Sequence, residues 1–118
     1  MSNVAKGKLG EEMALCFLQQ QGFRLLKRNY RAGHKEIDLV MQQGDTIVFI
    51  EVKARNSAAY GTPAEAVGFR KQRNLLEAAQ TFLAQNGYYE TSARFDVVEV
   101  DLGKGMVRHI PNAFMAEA

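Results

Sequence analysis

Leu9, Met13 and Phe17, with Ala14, Leu15 and Leu18 beside them, recur at the spacing of one helical face. They predict a helix from about Val4 to Gln21, ended by Gly22. The period then shortens. Phe23 to Tyr30, Glu36 to Gln42 and Thr46 to Ala54 are short segments, the last two rich in Val, Ile or Phe, and predict three strands. Arg55 to Gly61 is small and polar, as suits a surface loop lying near a substrate. After Pro63 the helical spacing returns in Leu75, Leu76, Ala79, Phe82 and Leu83, predicting a helix from about Glu65 to Gln85 with Asn86-Gly87 as its stop. Phe95, Val97, Val98 and Val100 suit a largely buried strand over Arg94 to Asp101. A turn at Lys104-Gly105 then leads to an optional last strand near Met106 to Ile110, and residues from about 111 to 118 are expected as a weakly ordered tail. The order α-β-β-β-α-β describes an α/β chain whose first strands pair locally.

Two of these strands carry charge where a core strand should not. Alternation sets Glu36 and Asp38 against Ile37 and Leu39, then Glu51 and Lys53 against Ile50 and Val52. Gly44-Asp45 between them is a Gly-X pair, the preferred sequence of a two-residue type II′ hairpin turn. If Gln43 pairs with Thr46, strict register places Asp38 opposite Glu51 and Glu36 opposite Lys53. Like charges directly opposed, with Cβ atoms roughly 5 Å apart, weaken a hairpin unless one is protonated or a cation lies between them. Magnesium prefers such carboxylate oxygens, using one or two of them with water and substrate phosphate. Lys53 would project to the same side, able to hold a nucleophile or offset charge developing on a phosphate. A solvated sheet face with a Glu36–Lys53 ion pair is the plainer reading of the same residues.

Composition narrows the setting. A chain of 118 residues suffices for one compact domain, and no repeat, linker or low-complexity run divides it. Hydrophobic residues make up 47% and charged residues 24%, with no apolar run approaching the ~20 residues of a membrane span. The start, Met1 to Lys6, lacks a signal-peptide core, so a cytoplasmic protein is expected. The single cysteine, Cys16, sits in the helical pattern beside Phe17 and reads as a small buried hydrophobe. A net charge of +2 is too mild to prove nucleic-acid binding, but its distribution is uneven. Lys6, Lys8, Arg24, Lys27, Arg28, Arg31 and Lys35 stand against only Glu11 and Glu12, and Arg70, Lys71 and Arg73 form a second group. Both groups flank the acidic hairpin, as basic walls beside an acidic floor would.

Asp38 with Glu51-Val52-Lys53 resembles the signature of the PD-(D/E)XK nuclease superfamily on the same helix and strand order. A closer likeness covers nearly the whole chain. Gly7-Lys8-Leu9-Gly10-Glu11-Glu12-Met13-Ala14, Arg28-Asn29-Tyr30-Arg31, Glu36-Ile37-Asp38-Leu39, Phe49 to Arg55, Lys71 and Arg94 to Val98 resemble the YraN-like family of predicted endonucleases. The resemblance implies a restriction-endonuclease-like core with a mixed sheet flanked by helices, similar to archaeal Holliday-junction resolvases. It also implies magnesium-dependent cleavage of structured or branched DNA, with Mn²⁺ as a substitute metal and a homodimer as one assembly. Carried over by position, it makes Asp38, Glu51 and Glu11 metal ligands and Lys53 the catalytic lysine. Arg28, Arg31, Arg55 and Lys71 become candidate nucleic-acid contacts. The residues alone leave Glu11 and Glu12 equivalent, Lys8–Glu12 being a plain i,i+4 ion pair; the resemblance selects Glu11. Lys35 departs from the Gly usual before the Glu-Ile-Asp-Leu segment, so His34-Lys35 is placed to touch phosphate. Two other classes stay open: a nucleic-acid-binding module on this fold that does not cleave, and a protein-interaction domain needing neither metal nor nucleic acid.

Overall fold

The computed structural model describes residues 1–56 and 67–114. Its elements are α1 (Asn3–Gln20), β1 (Arg24–Ala32), β2 (Lys35–Gln43), β3 (Thr46–Arg55), α2 (Phe69–Gln85), β4 (Ser92–Asp101) and β5 (Met106–Phe114). This is the expected order, with the optional last strand present. Most of the polar stretch expected as a loop, and Glu65 at the predicted start of the second helix, lie outside the described residues.

Ser2 caps α1, its hydroxyl accepting from the Ala5 N–H at 3.1 Å. Gly22, at φ +94°, lets the chain turn back into β1. Gly68 takes the N-cap position of α2, where Gln72 donates to the backbone carbonyls of Gly68 and Val67. The helix therefore begins at Phe69, later than the periodicity alone suggests.

The five strands lie in sequence order in one sheet, antiparallel throughout except for β3 and β4. That parallel pair requires a crossover, and α2 lies on it. The sheet is mixed and separates two apolar layers. Ala14, Leu15 and Leu18 of α1 pack with Leu39, Met41, Val48, Ile50, Val98 and Val100. On the other side Leu75, Ala78, Ala79 and Phe82 of α2 pack with Ile37, Val40, Ile47, Phe49, Phe95 and Val97. No helix of the described residues is long and apolar enough to cross a membrane.

The inward face of α1 is rotated from the expected one. Gly10, Ala14, Leu15 and Leu18 are buried, Met13 and Phe17 half-buried, and Leu9 exposed. With Leu15 inward, Cys16 lies about 100° around the helix and is exposed, not a buried hydrophobe. The reason is Gly10, over which α1 sits so close to β3 that an added Cβ would lie 2.5 Å from the Ala54 Cβ. Gly10→Val is expected to cost about 1–3 kcal/mol by overpacking, seen as a lower melting temperature in circular dichroism.

Pro111 does not begin a tail; β5 continues to Phe114, and residues 115–118 lie outside the described residues. An edge strand tolerates the missing N–H of proline. Asn112, at φ +51°, absorbs the register shift that opposes Phe95/Val97. Phe114 then pairs with Phe95, their rings stacked at 5.0 Å.

Candidate active site

The hairpin turn is built as its sequence predicts. Gly44 has φ +57°, Asp45 is not among the residues at positive φ, and Gln43 pairs with Thr46, the pattern of a type II′ turn. Register then holds as far as Leu39 opposite Ile50. Beyond that pair the strands part, β2 continuing against β1 and β3 against β4. Asp38 and Glu51 are therefore not ladder partners. The Asp38 carboxylate instead takes the ladder's role, its Oδ2 accepting from the Val52 N–H at 2.8 Å.

The parting also breaks alternation, because Ile37 packs beneath α2 whereas Leu39 packs beneath α1. Glu36 accordingly pairs not with Lys53 but with Arg31, its neighbour on β1, at 3.1 Å. Lys53 makes no ion pair with the described residues. The wedge between the strands is the mouth of a cleft of about 360 Å³, lined by Asp38, Glu51, Lys53 and Arg55 together with Lys6 and Glu11 of α1. All four predicted catalytic residues thus reach one cleft.

Within it the carboxyl groups of Asp38 and Glu51 are in hydrogen-bonding contact. Burial, then that hydrogen bond and the negative charge of Glu51, push the Asp38 carboxyl up to about 9, against the opposing pull of the Val52 N–H. The metal-free pair accordingly carries a proton at neutral pH. Glu51 is buried, and Lys71 of α2 brings its ammonium to 3.2 Å from Glu51 Oε2. That contact supplies charge but not hydrogen-bond geometry, and Oε2 has no hydrogen-bond partner among the described residues. A buried carboxylate oxygen with an unused lone pair, beside a second carboxyl, suits a hard cation.

Glu11 is less tightly drawn in, and its Oε1 accepts from Asn29 Nδ2 at 2.9 Å. Among the described residues no group of three acidic, His or Cys side chains closes into a ligand cluster. The expected three-carboxylate set is a contacting pair, with Glu11 lining the same cleft from α1. Glu12 points elsewhere and is ion-paired with Arg28, not with Lys8.

Asn29 is the residue that sequence reasoning missed. It stands at φ +48° within β1, a conformation few residues other than Gly and Asn adopt, and it tethers Glu11. An asparagine in the middle of a strand pattern is the signal that could have found it. Of the predicted nucleic-acid contacts, Arg55 lines the cleft and Lys71 reaches it through its contact with Glu51. Arg28 and Arg31 lie on the edge strand, each held by a glutamate. Such exposed pairs are worth ~0–1 kcal/mol and can be exchanged for phosphate. Lys35 is ion-paired with Glu77 of α2.

A model of the family described as "Uncharacterised protein family UPF0102" matches residues 10–100. A UPF0102 protein of Chloroherpeton thalassium is 48% identical over 101 residues, covering 86% of this chain and 78% of its own. One from Clostridioides difficile is 39% identical over 114 residues, covering 97% and 100% respectively. One from Alkaliphilus oremlandii is 44% identical over 116 residues, covering 95% and 99%. Among solved structures, Pyrococcus furiosus SfsA in complex with Ca²⁺ aligns at a TM-score of 0.32 and 14% identity, over 93% of this chain and 64% of that one.

Proposed function

This chain belongs to the UPF0102 family, the YraN-like group, and we propose that its cleft hydrolyses phosphodiester bonds in nucleic acid, with Mg²⁺ or Mn²⁺ as cofactor and structured or branched DNA as substrate. The observation that carries this reading is the contact of two carboxyl groups in an open cleft, beside a lysine with no ion-pair partner among the described residues. Asp38 and Glu51 would hold the cation, with Glu11 in the same cleft, and the ion would supply Lewis acidity to water and phosphate.

The rest falls to the chain's own side chains. Lys53, two residues beyond Glu51 on the same strand, offers its ammonium to the attacking water or to a non-bridging phosphate oxygen, where negative charge grows in the transition state. Lys71 neutralises Glu51 while the cleft is empty and can turn to phosphate once a substrate binds. Lys6 and Arg55 line the same cleft and add positive charge along the path of a phosphate backbone.

The test is cleavage of junction, flap and linear duplex DNA by wild type, Lys53→Ala and Asp38→Ala. Turnover is expected from wild type only, with Mg²⁺ or Mn²⁺ and not with EDTA. Loss in Lys53→Ala should be on the order of 10²–10³-fold. Equal rates in all three chains would identify a contaminating nuclease and overturn the reading. A second reading, a binding module that does not cleave, is favoured by the Lys71–Glu51 pair and the shared proton, which offset the charge of the carboxylates without metal. It predicts salt-dependent binding indifferent to Mg²⁺, and no turnover.

A further inference from the structure

Beside the cleft, the first turn of α2 builds a second hollow. Phe69, the first helical residue, is 74% exposed and makes no ring contact with the described residues. It lines an open depression of about 550 Å³ with Arg70, Arg73 and Glu77 of the same helix and with His34 and Lys35 from the start of β2 and the turn before it. Lys35 and Glu77 pair with each other, Arg73 adds its charge to the same glutamate, and neither arginine forms an ion pair within hydrogen-bond reach among the described residues.

This hollow is adjacent to the cleft through two elements. Residues 70, 73 and 77 share one helical face, whereas Lys71 turns one step around the helix toward Glu51. Along β2, Lys35 precedes Asp38 by three residues, about 10 Å at the rise of a strand.

A single exposed phenylalanine is ordinary. An exposed ring lining a depression beside two arginines combines two things that nucleic acid recognises together: a flat apolar face for a base and positive charge for the phosphates on either side. Phosphate contacts alone need no ring. We propose that this hollow receives an unpaired nucleobase, stacked on Phe69, with Arg70 and Arg73 on the flanking phosphates. The inference rests on the nucleic-acid reading of the cleft and deepens it, since the preferred substrate then carries unpaired bases beside the bond that is cut. A base inside a duplex is covered by its neighbours and cannot stack there.

The experiment is fluorescence anisotropy in EDTA, where nothing is cleaved, with two labelled probes: a blunt duplex and the same duplex carrying a short single-stranded overhang. Phe69→Ala is expected to weaken the overhang probe about 5- to 100-fold and leave the blunt duplex unchanged. Arg70→Ala should weaken both and lower the slope of log affinity against log salt by about 1. The chain has no tryptophan. Phe69→Trp therefore introduces a single reporter at a solvent-facing position, keeping overhang affinity and losing emission as a base stacks on it. Equal loss for both probes, no loss for either, or indole emission from Phe69→Trp unmoved by a saturating overhang would overturn the inference. Failure of wild type to bind either probe would overturn it together with the nucleic-acid reading. Overhang preference in a protein without metal-dependent turnover would sustain it and remove only the cleavage reading.

Discussion

Asp38→Asn is expected to abolish metal-dependent hydrolysis and, in the same preparation without metal, to raise the melting temperature at pH 8. The two effects have one cause. Asp38 is held against Glu51 by the parting of β2 and β3, and its carboxyl is pushed up to about 9 by burial and by its neighbour. An unfolded aspartate ionises near 3.9, so between about pH 4 and about pH 9 the folded chain retains a proton that the unfolded chain has lost. Stability from this group is complete below about pH 4 and declines as pH rises through that window. Asparagine removes the dependence. Its Oδ1 can accept from Val52 N–H as Asp38 does, and its amide can donate to Glu51.

A gain of about 2 kcal/mol at pH 8, several degrees in melting temperature for a chain of this size, follows once water in the open cleft is taken into account. Calorimetric titration separates the roles further. Wild type should bind Mn²⁺ with release of the shared proton, more tightly as pH rises, whereas Asp38→Asn should lose most of the heat. A variant that melts higher and still cleaves would show that Asp38 is not part of the chemistry.

How far this site was legible beforehand follows from what kind of contact each part is. The Gly44-Asp45 turn and the register to Leu39 and Ile50 are local, and two residues with their flanking pattern suffice to specify them. Charge on an otherwise apolar strand marked Asp38, Glu51 and Lys53 for the same reason. What periodicity cannot carry is a change of phase. Ile37 and Leu39 face opposite cores because β2, paired with β1 along its length, loses β3 as its second neighbour at Asp38, and Asn29 takes a left-handed conformation on the adjoining strand. The Lys71–Glu51 contact joins residues brought together only by the crossover that forms the parallel β3–β4 pair. The inward face of α1 was likewise decided by close approach at Gly10, which hydrophobicity does not encode.

Asp96→Ala should be strongly destabilising, costing about 3–5 kcal/mol. Asp96 is 1% exposed in the middle of β4. Its carboxylate is bonded to His109 Nε2 at 2.7 Å, accepts from Arg94 Nε at 3.1 Å and accepts from the Asn112 N–H at 3.0 Å. Removing it leaves Arg94 largely buried without its counter-charge and His109 without its hydrogen-bond partner, and releases β5 where the Asn112 bulge is pinned. Burial opposes ionisation of Asp96, but His109, Arg94 and the Asn112 N–H together outweigh it and hold the carboxyl below its usual range. Its contribution is therefore present above about pH 4 and lost as pH falls through the depressed value, the reverse of Asp38. In metal-free wild type Asp96 therefore contributes a decline toward acid and Asp38 a decline toward alkali. In melts recorded by circular dichroism, Asp96→Asn should soften only the acid decline and Asp38→Asn only the alkaline one, while saturating Mn²⁺ in wild type should flatten the alkaline side as the substitution does. If Asp96→Asn instead altered the alkaline side, the assignment of each slope to one residue would fail.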